Sequence, residues 1–93
     1  MKLKDLPRYH IFRFVGDNCL YLKNEGDEKE VEWHRVYKDG RTNLNGKYSY
    51  DPYWLNKPVH DLGDIYDWMK RNHPIRYKRE NWEASKPKKE DKA

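Results

Sequence analysis

Cys19 is the single thiol of the chain, and His10, His34, His60 and His73 are its four imidazoles. A catalytic thiolate needs a neighbouring base or an electropositive pocket. No local motif of that kind surrounds Cys19, so it reads as a structural thiol. The histidines show no His-x₃-His pairing and no Cys-x₂-Cys beside them, which leaves zinc without a ligand set. Asp61, Asp64 and Asp67 recur at every third position and are the residue type that holds Mg²⁺ with substrate phosphates. On a helix the outer two point about 120° apart, so the three do not converge on one ion. The five glycines are scattered among turns and form no phosphate cradle. A catalytic pair would have to be assembled from distant residues such as His34 and Asp51. The expectation is a non-enzymatic chain with no metal and no cofactor.

The basic stretch 70–79 carries more information. Lys70, Arg71, Arg76, Lys78 and Arg79 are five permanent cations with no acid among them, and Tyr77 is interleaved. Clustered Lys and Arg bind phosphate backbones by releasing counterions, and aromatic faces stack on unpaired bases. Such pairing suits single-stranded RNA. On this reading Arg71, Arg76, Lys78 and Arg79 meet phosphates, and Tyr77 or Trp82 stacks. The plainer account has Lys70 and Arg71 complementing a helix dipole and the rest forming a charged edge strand.

A second set lies earlier. Arg8, Arg13, Arg35, Lys38, Arg41 and Lys47 are interspersed with Tyr9, Trp33, Tyr37, Tyr48, Tyr50 and Trp54. A sheet with one wet face can display rings and cations together. The competing need is the core, because Trp33, Tyr37 and Trp54 are large apolar groups in a chain short of aliphatic ones. No Lys/Arg-Gly-Phe-Gly-Phe signature is present. Tyr48, Tyr50, Tyr53 and Trp54 occupy a proline-bracketed loop and are the residues of a candidate protein interface, since Tyr and Trp dominate binding hot spots. Short, aromatic-rich, highly charged chains of this kind resemble accessory proteins of phages and other viruses, a likeness that carries no residue over. Two functions follow. The first is a regulatory or accessory module for RNA or single-stranded nucleic acid. The alternative is an inhibitor or adaptor that docks on a host enzyme.

The elements that must position these residues are mostly strands. Residues 9–15 and 19–24 are β-branched and aromatic, and Gly16-Asp17-Asn18 between them signals a hairpin turn. Residues 30–38 alternate, with Val31, Trp33, Arg35 and Tyr37 on one face and Glu32, His34, Val36 and Lys38 on the other. Asp39-Gly40 and Asn45-Gly46 are tight-turn pairs, and 47–50 reads as a further short strand. Prolines 52 and 58 bracket an irregular segment. Leu62, Ile65, Tyr66 and Met69 make one apolar stripe, so a helix is predicted over 62–72 with Asp61 as its cap and His73-Pro74 as its stop. Residues 75–79 read as a final strand, and 85–93 as a disordered charged tail.

Length and composition agree with this plan. Ninety-three residues make one domain, here 1–84, and one this small has a thin core. Only 16 residues are Leu, Ile, Val or Phe, but 4 Trp and 8 Tyr supply 12 further rings. The predicted fold is therefore α+β. It has a small antiparallel sheet of three to five strands in a meander, SH3-like or OB-like in the closest cases, packed by one C-terminal helix. The net charge of +4 is uneven, with an acidic run from Glu25 to Glu32 that suits a solvated hairpin tip. A single cysteine rules out an internal disulfide and fits a reducing compartment. With no apolar leader and no long apolar run, the expected location is the cytoplasm, with no membrane contact.

Overall fold

The computed structural model describes residues 1–26 and 29–86, and the side chains of all of these except 25 and 26. Asp27 and Glu28 of the acidic run, and positions 87–93 of the expected tail, lie outside the described residues.

Five strands form one antiparallel sheet: β1 (His10–Phe14), β2 (Leu20–Gly26), β3 (Val31–Val36), β4 (Lys47–Ser49) and β5 (Val59–Asp64). Their order is β4-β3-β2-β1-β5. The first four make the predicted meander, and the last returns to the free edge of β1. The sheet is open, with β4 and β5 at its edges, so neither barrel alternative applies. Helices cover both faces: α1 (Pro52–Leu55), α2 (Ile65–Asn72), α3 (Pro74–Arg79) and α4 (Trp82–Ser85), with a 3₁₀ turn at Leu3–Asp5.

Alternation sorts the side chains into two cores. Phe12, Phe14, Val31, Trp33 and Val59 point to one face, where Leu3, Leu6 and Leu55 close over them. Ile11, Leu22 and Val36 point to the other, against Ile65, Trp68, Met69 and Tyr77 of the C-terminal helices. Each aromatic ring can bury roughly 150–250 Å², which compensates for the scarcity of aliphatic groups.

Three predictions are corrected. The helix expected over 62–72 begins at Ile65, with Asp64 as its cap accepting from the Asp67 N–H at 2.9 Å. Residues 59–64 are drawn into the sheet instead, because β1 has a free edge that they satisfy. Their register shifts opposite His10 and Phe12, and Gly63 takes φ +97° near the shift. Residues 75–79 are helical, not extended. Pro74 sits in the first turn of α3, where a missing N–H costs nothing. One helix was expected on the sheet, and four short ones pack there.

Candidate functional site: an aromatic cleft at one end of the sheet

Register brings three connections to the same end of the sheet. Leu20 pairs with Val36, and Phe14 pairs with Val59. The β1–β2 turn, the β3–β4 connection and the α1–β5 junction therefore surround a single opening. Between them lies a cleft of about 490 Å³. Small-molecule sites typically measure roughly 300–1,000 Å³.

Rings form its floor and walls. Phe14 and Trp33 are buried beneath it, and Tyr21 and Trp54 are half-exposed beside it. Trp33 and Trp54 have centroids 5.4 Å apart, and Phe14 touches Tyr21 edge-on at 5.4 Å and Trp54 at 5.7 Å. Such contacts hold the rings in fixed orientations. Trp54 reaches the site because Asp51 caps α1, accepting from the Tyr53 N–H at 2.9 Å.

Three cations rim the cleft. Arg35 projects from β3 on the Trp33 face, Lys47 comes from β4, and Lys57 follows α1. Lys57 Nζ lies 4.8 Å from the Tyr53 centroid and 5.1 Å from that of Trp54, and donates to the Tyr53 hydroxyl at 3.1 Å. Among the described residues, none of the three is ion-paired with a carboxylate. Asp17 is the one acid of the lining. Its Oδ1 accepts from the Cys19 N–H at 2.9 Å and its Oδ2 from the Tyr21 hydroxyl at 3.3 Å. The Cys19 N–H in particular holds this carboxyl below its ordinary value. Burial, followed by the Asp17 charge, pushes the Tyr21 phenol up to about 12.

The basic stretch takes a different form from the one its composition suggests. Tyr77 is only 8% exposed and its hydroxyl donates to Glu83, so its face cannot receive a base. Arg76 is paired with Glu80 at 2.9 Å and donates to the Asp39 carbonyl at 2.8 Å, which ties α3 to the β3–β4 connection. Trp82 packs edge-on against Tyr66 and donates to Glu80 at 3.0 Å. Lys70, Arg71, Lys78 and Arg79 are exposed, on the helical face and away from the cleft. Arg41 pairs with Asp39 at 2.6 Å, and Lys38 is exposed nearby. Of the earlier set, Arg35, Lys47, Trp33 and Trp54 converge in the cleft. Tyr48, Tyr50 and Tyr53 are exposed, and Tyr48 donates to Glu30.

The candidate catalytic and metal residues do not converge. Asp61 meets His10 at 2.8 Å, Asp64 caps α2, and Asp67 lies 3.9 Å from Lys86. His34 Nδ1 bonds the Asn43 carbonyl at 2.8 Å, while Asp51 caps α1. Among the described residues, no three His, Cys, Asp or Glu side chains form a group that could hold a metal ion. Nor is any helix among them long and apolar enough to cross a membrane.

Sequence reasoning missed Phe14, Asp17, Tyr21 and Lys57 as site residues. One local signal existed: Tyr53 and Lys57 stand four apart, the spacing that places a cation over a ring. None of the protein-family models, curated proteins or solved structures compared with the chain matches it.

Proposed function

We propose that the protein is a non-enzymatic binding module for single-stranded nucleic acid, RNA foremost, and that the strand enters the aromatic cleft. The observation that carries the reading is the composition of one opening: partly exposed Tyr21 and Trp54 beside Arg35 and Lys47, neither of which has a carboxylate partner among the described residues. Rings accept an unstacked base of any kind, and the cations offset its phosphates. Duplex DNA suits the molecule less, because the longest described helix, α2, spans only eight residues and opens with Asp64 and Asp67. A cytoplasmic, accessory or regulatory role goes with this reading.

The test is a tryptophan-fluorescence titration with a single-stranded RNA oligomer at several salt concentrations. Arg35→Glu with Lys47→Glu should weaken binding by about tenfold or more, and flatten the salt slope by about 0.7 for each phosphate that is no longer neutralised. Lys78→Glu with Arg79→Glu makes the same change in net charge on the opposite face. It should cost far less. Equal weakening in the two variants would remove the cleft as the site.

A protein partner is the second reading. Exposed Tyr48, Tyr50 and Tyr53 favour it, Tyr50 being 75% exposed. A stoichiometric complex with a host enzyme that survives nuclease treatment and is abolished by Tyr50→Ala with Tyr53→Ala would support it.

A further inference from the structure

We infer that Lys57 makes the cleft selective for bases that carry a phosphate: its ammonium covers the Trp54 ring in the free protein and leaves it when a phosphate takes the ammonium over. This rests on the cleft being a nucleic-acid site, and names the residue that couples its ring to its charge.

Lys57 is a cation held by rings. Its Nζ lies 4.8 Å from the centroid of Tyr53, 5.1 Å from that of Trp54 and 5.8 Å from that of Phe14. Tyr53 and Trp54 meet at 5.2 Å with their planes 88° apart, so the two rings make a corner that the ammonium fills. The backbone of Lys57 is pinned on both sides. Its N–H bonds the Trp54 carbonyl at 3.1 Å, and its carbonyl accepts from the Leu3 N–H at 3.0 Å. Only the side chain is free to move. An ammonium has three N–H donors. Among the described residues Lys57 uses one of them, on the neutral Tyr53 hydroxyl at 3.1 Å, and has no carboxylate partner. Asp17, the one acid of the lining, is already met by the Cys19 N–H and the Tyr21 hydroxyl. Two donors of Lys57 are thus left for an incoming anion.

One ring face cannot hold an ammonium and a base together. Phe14 and Trp33, which touch Trp54 at 5.7 and 5.4 Å, are buried and do not yield. Lys57 is half-exposed on a flexible stem, so access to the Trp54 face runs through it. A cation over an exposed ring is worth a factor of about two to five, whereas a stacked base is worth about five- to 150-fold. The base therefore wins the face, but forfeits the ammonium's share. A neutral base sends the ammonium into water. A phosphate-linked base brings an anion into the same opening, where a charge-assisted hydrogen bond is about twice as strong as the one Lys57 gives up. Lys57 then changes partner instead of losing one. Lys47 makes no ring contact of this kind among the described residues, so it contributes charge alone.

The experiment uses the full chain and two uridine oligomers of one length, one with natural phosphodiester linkages and one with uncharged methylphosphonate linkages. The natural oligomer should bind the native chain about tenfold or more tighter than the neutral one. Lys57→Ala should tighten the neutral oligomer by about two- to fivefold and weaken the natural one by a similar factor. Lys47→Ala should weaken the natural oligomer and leave the neutral one unchanged. Proton NMR of the native chain reads the displacement directly, even where a variant is poorly folded. The rings shift the side-chain methylene resonances of Lys57 upfield, and saturation with the natural oligomer should return them to ordinary lysine positions. Resonances that stay upfield in the complex, or a neutral oligomer that binds folded Lys57→Ala no tighter than the native chain, overturn the inference and leave the nucleic-acid reading standing. Failure of the natural oligomer to bind the native chain overturns both.

Discussion

Tyr21 and Tyr77 reach a similar proton affinity by different routes. Burial and then the Asp17 charge raise Tyr21 to about 12, whereas the hydrogen bond to Glu83, ahead of burial, raises Tyr77 to about 12. An unfolded tyrosine ionises near 10. Each phenol therefore loses its proton more readily in the unfolded chain. Their contribution to stability is whole below about pH 10 and is lost as pH rises through about 12. A spectrophotometric titration of the folded protein should show a late phenolate class near 12. Tyr21→Phe and Tyr77→Phe should each remove part of it. Ionisation of all the phenols in one wave near pH 10 would show that neither interaction holds in solution. The two residues also separate the two candidate regions. The hydroxyl of Tyr21 serves an acid that lines an open cleft, whereas the hydroxyl of Tyr77 joins α3 to Glu83 of α4.

At the scale of elements, a buried lysine adds to the backbone bonds that fasten the N-terminal turn to the start of β5. Lys23 stands on β2 and is 1% exposed. Its Nζ donates to the carbonyls of Leu3 at 3.1 Å, Lys4 at 3.3 Å and Leu6 at 2.6 Å. The Leu3 carbonyl also takes the Leu6 N–H, whereas those of Lys4 and Leu6 come at the end of the turn, and Leu6 is buried where water reaches poorly. Lys23→Met keeps the length of the stem and removes the donor. It should lower stability by about 2–3 kcal/mol, read as a lower urea midpoint with an unchanged m-value. Amide exchange at Leu6, whose N–H bonds the Leu3 carbonyl, should rise at the same time. An unchanged midpoint would mean that water replaces the ammonium.

The strands of the meander were legible because each carries its period in its own residues. In β3, Val31, Trp33 and Val36 are buried on alternate faces, so a local pattern records a tertiary fact. Elsewhere the local pattern misleads. Ile75 and Tyr77 imitate a strand, but Ile75 is 78% exposed and Tyr77 buried, as one turn of a short helix allows. Leu62 continues the apolar stripe of α2 backward, yet it sits in β5, because the partner that makes 59–64 a strand is β1, some fifty residues earlier. The cleft was half legible for the same reason. Trp33, Arg35, Lys47 and Trp54 drew notice as rings and cations, but Asp17, Tyr21 and Lys57 become site residues only when three connections meet at one end of the sheet.

Across the whole molecule, the strand pairings differ greatly in sequence separation. Gly26 meets Val31 within one hairpin, whereas Phe14 meets Val59 across about half of the chain. Closing the longer loop costs more entropy before any strand pairing offsets it. β2 and β3 should therefore pair early, and β5 should dock on β1 after the main barrier. Val59, 3% exposed beside Phe14, reports on that last step. Val59→Ala should destabilise the protein by about 1–3 kcal/mol, expressed almost wholly as faster unfolding. Leu22→Ala in β2 should instead slow folding. Stopped-flow chevrons of the two variants decide between this order and its reverse, in which Val59→Ala slows folding at least as much. The order bears on function, since Trp54 and Lys57 reach the cleft only when the α1–β5 junction is in place. The binding surface is then the last part of the protein to form. A strand held between that junction, the β1–β2 turn and β4 would slow unfolding of the native chain, and this slowing should vanish in Arg35→Glu with Lys47→Glu.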